Sequence, residues 1–100
     1  MGNKILLSSE AKKEIDDSFH WYEERLEGLG ERFIEFIDKA FQLIAQTPER
    51  FPVKSGAFRE FVVNKFPYVI IYEFLEARKT IIVLHVFHTK RNPKRKYRGF

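Results

Sequence analysis

The closing stretch HTKRNPKRKYRGF, residues 88–100, holds the groups best suited to chemistry on a phosphate: His88, Arg91 and Tyr97 among six lysines and arginines, with no acid. A tyrosine, with an ordinary pKa of ~10, is a poor base at neutral pH, but surrounding cations stabilise its phenolate and lower that value. Flanked by Lys94, Arg95, Lys96 and Arg98, Tyr97 could accept the proton of an attacking 2′-hydroxyl. Arg91 could hold the charge growing on the phosphorane. The same Tyr97 ring could instead be a hydrophobic clip that holds the segment on a sheet. His88 falls where the last strand gives way to the basic segment, a suitable place for a group that titrates near neutrality. Arg59, Lys65 and Lys90 could extend the basic surface, although Arg59 could equally be a sheet-edge charge that prevents pairing with other strands.

Other chemistries find little support. His20, His85 and His88 are the only histidines, no HExxH or paired acidic loop accompanies them, and there is no cysteine, so no metal site and no cofactor are expected. His85 and His88 lie three apart and so point to opposite faces of a strand. His85, on a face with Ile81, Val83 and Phe87, reads as a satisfied, half-buried ring. The GLG at 28–30 lies between helices rather than after a strand, which does not suit a phosphate loop, and no nucleophile elbow appears. The apolar run Ile5 to Leu7 is too short for a signal-peptide core or a membrane span, and Leu6 stands where a myristoylation signal needs Ser or Thr. A cytoplasmic protein is the expectation, consistent with the absence of cysteine.

The net charge of +4 is unevenly spread. Residues 1–50 carry seven Lys or Arg against eleven Asp or Glu, and residues 51–100 carry eleven against three. A basic half of this kind favours a polyanionic partner through counterion release, without specifying one.

The elements that must position these groups follow from periodicity. KILLS (4–8) reads as a strand, followed by a helix starting near Ser8 or Ser9 with Glu10 in its first turn. Ala11, Ile15, Phe19, Tyr22 and Leu26 form its apolar stripe. Gly28 can take the left-handed conformation that ends a helix, and the stripe restarts at Phe33, Ile34, Ile37, Ala40, Phe41 and Ile44. Pro48 stops this second helix at Thr47, and QTPERFPVKSGA is a loop. FREFVVNK, YVIIYEFL and TIIVLHVFH then read as an antiparallel meander. The expected fold is α+β, β-α-α-β-β-β, a helical hairpin packed on a mainly antiparallel sheet, forming one domain over residues 1–100 with a basic segment at 88–100. In the last two strands both alternating sets are apolar, and two helices cover only one sheet face. Either the chain or a partner must cover the other.

The helix-1 WYE, the GLGERF turn, the P-x-x-F-P after helix 2, the FPYVIIY strand and the H-x-x-R-x-P ending, in this order, resemble the RelE/ParE superfamily, the toxin halves of bacterial type II toxin-antitoxin systems. The resemblance covers nearly the whole chain. It implies a cytosolic toxin that arrests growth and is neutralised by a cognate antitoxin. RelE-like members cut messenger RNA on the ribosome without a metal; ParE-like members poison DNA gyrase. Arg91 and Tyr97 fall where RelE-like toxins keep an arginine and a tyrosine. Val69 stands where those toxins place an arginine, and Glu60 and Val62 where they carry lysines, a loss of charge-assisted phosphate bonds worth roughly 1.5–3 kcal/mol each. The FPY strand and RNP ending resemble the ParE side. The resemblance thus implies a gyrase-directed toxin first, a ribosome-dependent endoribonuclease second, and an inactive basic interaction module third.

Overall fold

The structure, a computed structural model, describes residues 3–63 and 65–90. Strand β1 (Lys4–Leu7) leads directly into helix α1 (Ser9–Arg25). The junction is fixed by Ser8, whose extended backbone and side-chain oxygen cap the helix by accepting from Ala11 N–H at 2.9 Å. This satisfies one of the amides that a helix start leaves without a partner. Ser8 also donates its hydroxyl to Leu84 O (2.7 Å) and its amide to Val83 O (2.9 Å), so the cap is anchored to a strand far along the chain.

Helix α1 ends at Arg25. Leu26, expected in the apolar stripe, is extended and 64% exposed. Gly28 is left-handed as expected (φ 89°), but its place is the N-cap of helix α2 (Leu29–Gln46). The two helices join through a glycine-rich corner in which Glu23 accepts from the amides of both Gly28 (2.8 Å) and Gly30 (3.0 Å). Helix α2 closes at Thr47, immediately before Pro48.

The segment read as a loop contains one further strand, β2 (Val53–Ser55). Its three side chains are all exposed, so it carries no hydrophobic alternation that a sequence reading could detect. Strands β3 (Phe58–Val62), β4 (Tyr68–Leu75) and β5 (Thr80–His88) form the expected meander. A 3-10 turn at Glu76–Arg78 and left-handed Lys79 connect β4 to β5. The sheet order is β1-β5-β4-β3-β2, with β1 parallel to β5 and the other pairs antiparallel.

A register shift changes one expectation about the faces. Val83 pairs with Tyr72 and His85 with Ile71, leaving Leu84 as the extra residue of a β-bulge. Beyond it the alternation reverses. Val86, rather than Phe87, joins Ile81 and Val83 in the core, and His85 shares a row with Ile71 and Glu60 on the opposite face. His88, paired with Tyr68, remains on the face opposite to His85.

The core lies between the helices and the sheet, where Tyr22, Phe33, Ile37, Ile44, Tyr68, Ile70 and Tyr72 are buried. Each large apolar side chain removed from water contributes about 1.5–3 kcal/mol before entropy is counted. On the other face Val69 and Ile71 are 2% and 0% exposed in the isolated chain, so their cover needs no second protein. Among the described residues no helix is long and apolar enough to cross a membrane.

Candidate functional site at the end of strand β5

Strand β1 pairs only with Thr80–Val83, so the edge of β5 beyond the bulge is left to helix α1. Glu14 fills it: one carboxylate oxygen accepts from Val86 N–H at 2.9 Å, and the other lies 2.9 Å from Nδ1 of His85. One helical turn further on, Ser18 is 4% exposed and accepts from the Tyr68 hydroxyl at 2.8 Å. The spacing of 14, 17 and 18 places Glu14, Asp17 and Ser18 on one face of α1. With Tyr68, Val86 and His88 they line a cleft of about 130 Å³.

His88 stands edge-on to the Tyr68 ring, with centroids 5.1 Å apart. Its Nδ1 accepts from Lys90 N–H at 3.1 Å, which in the neutral ring places the proton on Nε2. The end of β5 is tied to the β3–β4 turn by Thr89, whose amide (2.7 Å) and hydroxyl (3.1 Å) both donate to Pro67 O. That turn carries Lys65 in a left-handed conformation (φ 72°). Lys65, His88 and Lys90 are thereby gathered at one end of the sheet.

Arg59 is placed elsewhere and has a structural task. Its Nη1 donates to Glu49 O (3.2 Å) and Phe51 O (2.7 Å), clamping the chain that follows α2. Its register partner Tyr72 donates to Pro48 O at 2.6 Å on the same segment. Burial pushes the Tyr72 phenol up to about 12, and the nearby Arg59 charge only partly opposes this. Arg91, Lys94, Arg95, Lys96, Tyr97 and Arg98 lie outside the described residues.

Phosphate chemistry finds poor support in this arrangement. The cleft at His88 carries two carboxylates, Glu14 and Asp17, which repel an anion. Of the three positions at which the resemblance implies that a nuclease holds cations, Glu60 is 9% exposed, Val69 2% and Val62 74%, an acid and two hydrocarbon side chains. Among the described residues no cluster of three or more His, Asp or Glu could hold a metal ion.

Sequence reasoning missed Glu14, Ser18 and Tyr68 as members of one site. A signal was present for two of them: Ser18 interrupts the apolar side of α1 between Ile15 and Tyr22, and a core tyrosine such as Tyr68 needs a hydroxyl partner. Glu14 gave none, because its contacts lie more than seventy residues along the chain.

Comparison with known proteins agrees with this architecture. Among solved structures the chain is similar to one described as the chromosomal ParDE toxin-antitoxin system from P. aeruginosa, with a TM-score of 0.75, 12% identity, and coverage of 86% of this chain and 95% of that one. It is also similar to a chain of the toxin-antitoxin complex RelBE2 from Mycobacterium tuberculosis, with a TM-score of 0.58, 17% identity, and coverage of 88% and 99%. At such identities the likeness shows the fold. No curated protein matches the sequence significantly. The family model for the ParE toxin of the type II toxin-antitoxin system parDE matches residues 5–93, nearly the whole chain, and the protein therefore belongs to the ParE toxin family.

Proposed function

We propose that this chain is a growth-arresting toxin that acts by binding a protein target, DNA gyrase, and is neutralised by a cognate antitoxin. The observation that carries the choice of a protein target is what stands at the positions where the resemblance gives a nuclease its cations: the acid Glu60 and the hydrocarbon side chains of Val62 and Val69. Glu60 and Val69 are buried, Arg59 is committed to the chain after α2, and carboxylates line the cleft at His88. The ParE family assignment favours the same target, and the structural relatives recorded as toxin-antitoxin systems support an antitoxin partner. The basic segment 88–100 then serves as part of a target-binding surface on a single toxin domain, and needs no cofactor or metal.

The test is DNA supercoiling by purified gyrase at micromolar toxin. Inhibition that disappears on adding the antitoxin is expected; unaffected supercoiling removes gyrase as the target. The nuclease reading predicts codon-phased cuts in messages after induced expression, lost in Arg91→Ala and Tyr97→Phe. Expression without growth arrest would leave only the basic interaction module.

A further inference from the structure

The acids that repel an anion from the cleft between α1 and the end of β5 attract the opposite charge. Glu14 and Asp17 lie three residues apart on α1, a spacing that sets Cβ atoms about 5–6 Å apart on one side of a helix. Neither carboxylate is used up. Each Glu14 oxygen has one described partner, Val86 N–H for one and His85 Nδ1 for the other, and a carboxylate oxygen accepts two bonds. Asp17 gives Oδ2 to Lys13 at 3.1 Å, an exposed pair that contributes little, and its Oδ1 has no partner among the described residues.

Beside them in the lining is Ser18, 4% exposed, whose one hydrogen bond is the one it accepts from Tyr68. A hydroxyl can make three, so this buried oxygen keeps a lone pair for a donor that enters the cleft. Among the described residues no lysine or arginine lines the site. Arg25, further along α1, is committed: its guanidinium lies 3.2 Å from the centre of the Trp21 ring and donates to Trp21 O at 3.0 Å. The cleft therefore holds three acceptors and no described cation to meet them.

We infer that this cleft receives an arginine side chain of the protein on which the toxin acts. A guanidinium carries five donors in one plane, enough for Glu14, Asp17 and Ser18 together. The rest of the lining, Tyr68, Val86, Phe87 and His88, is aromatic or apolar, which suits this weakly hydrated, flat cation better than a strongly hydrated ammonium. The volume of about 130 Å³ is well below the roughly 300–1,000 Å³ of small-molecule sites, so it admits a side-chain head group rather than a nucleotide. The inference rests on the reading of a protein target and names one residue type which that target presents.

The probe is Nα-acetyl-arginine methylamide, titrated at millimolar concentration into the full isotope-labelled chain while the amides of Ser18, Val86 and Lys90 are followed by NMR. Shifts at these amides are expected. The citrulline derivative, of the same shape without the charge, and the lysine derivative should each bind at least about fivefold more weakly. Asp17→Asn should weaken binding about two- to fivefold, the scale of one exposed charge pair. Asp16→Asn removes the same charge from the adjacent position, where the carboxylate pairs with His20 outside the cleft, and should leave binding unchanged. Citrulline or lysine derivatives that bind as tightly as arginine, or equal losses in Asp16→Asn and Asp17→Asn, overturn the inference. In the supercoiling assay Asp17→Asn should raise the toxin concentration for half inhibition by the same factor, with neutralisation by the antitoxin retained. Unchanged inhibition, loss of neutralisation, or probe binding that appears only after Arg91, Arg95 and Arg98 are replaced by alanine overturns the choice of occupant. The titration needs no gyrase, so its failure and failure of the toxin reading are separate results.

Discussion

Replacing Gly30 by alanine tests how the helical hairpin is held. The Cβ would lie 2.6 Å from the backbone oxygen of Phe19, about 0.8 Å short of ordinary contact at 3.4 Å, and 2.9 Å from both the Phe19 ring and the Glu23 carboxylate. Because the nearest atom belongs to the backbone of α1, no rotamer change relieves the overlap, and the helices must part at their closest approach. Parting them costs about 1–3 kcal/mol as overpacking. It also strains the charge-assisted bonds from Glu23 to the amides of Gly28 and Gly30, which are worth roughly 1.5–3 kcal/mol each. Against this, alanine gains about 1 kcal/mol over glycine in helix propensity. The expected net loss is about 2–4 kcal/mol, or roughly 10–20 °C in Tm for a domain of this size. Urea unfolding followed by circular dichroism reads it as a lower midpoint with an unchanged slope. Gly28→Ala is the comparison. The site has open space but a φ of 89°, so only left-handed strain of about 1–2 kcal/mol opposes alanine there. A Gly30→Ala chain as stable as the parent, or more stable than Gly28→Ala, would refute the close-approach argument.

Three further outcomes follow from the contacts. Tyr72 has a folded pKa raised from 10 to about 12, so the stability it contributes is complete below pH 10 and is lost as pH rises towards 12. The loss is about 2–3 kcal/mol, and alkaline urea titrations should show it disappear in Tyr72→Phe. Glu14→Ala should cost about 1–3 kcal/mol by leaving Val86 N–H without its acceptor, and should speed exchange of that amide. Glu14→Gln, which keeps an oxygen there, should cost less than half as much. Tyr68→Phe should lose about 1 kcal/mol, and in a double-mutant cycle with Ser18→Ala the two losses should fall short of additive, because both remove one hydrogen bond.

Most of the scaffold was legible because its determinants are local. The α2 stripe from Phe33 to Ile44, the stop at Pro48 and the β-branched runs of β3, β4 and β5 each appear as periodicity or a single residue type. The misreadings share a cause: they depend on something distant. Strand β2 exists because β3 lies beside it, and Leu26 leaves the stripe because the hairpin corner turns before it. The bulge at Leu84, set by pairing with β4, reversed the faces of His85, Val86 and Phe87. At the site, His88 was placed correctly at the end of the last strand, but its setting was not visible. The carboxylates beside it come from a helix some seventy residues earlier, and the cation Arg59 is used internally. Basic composition therefore overstated how much positive charge the described surface assembles.

The parallel pairing of β1 with β5 also bears on how the protein is made. Strand β5 lies between β1 and β4, yet it is the last of the described strands to be synthesised. A nascent chain short of residue 80 lacks the strand that joins β1 to the rest of the sheet, and its Ser8 and Glu14 lack the backbone groups they bind. Closing the sheet requires contacts across most of the sequence, which slows folding and places it late relative to translation. The sheet of this toxin stays open on the ribosome that makes it until residues 80–88 have been translated.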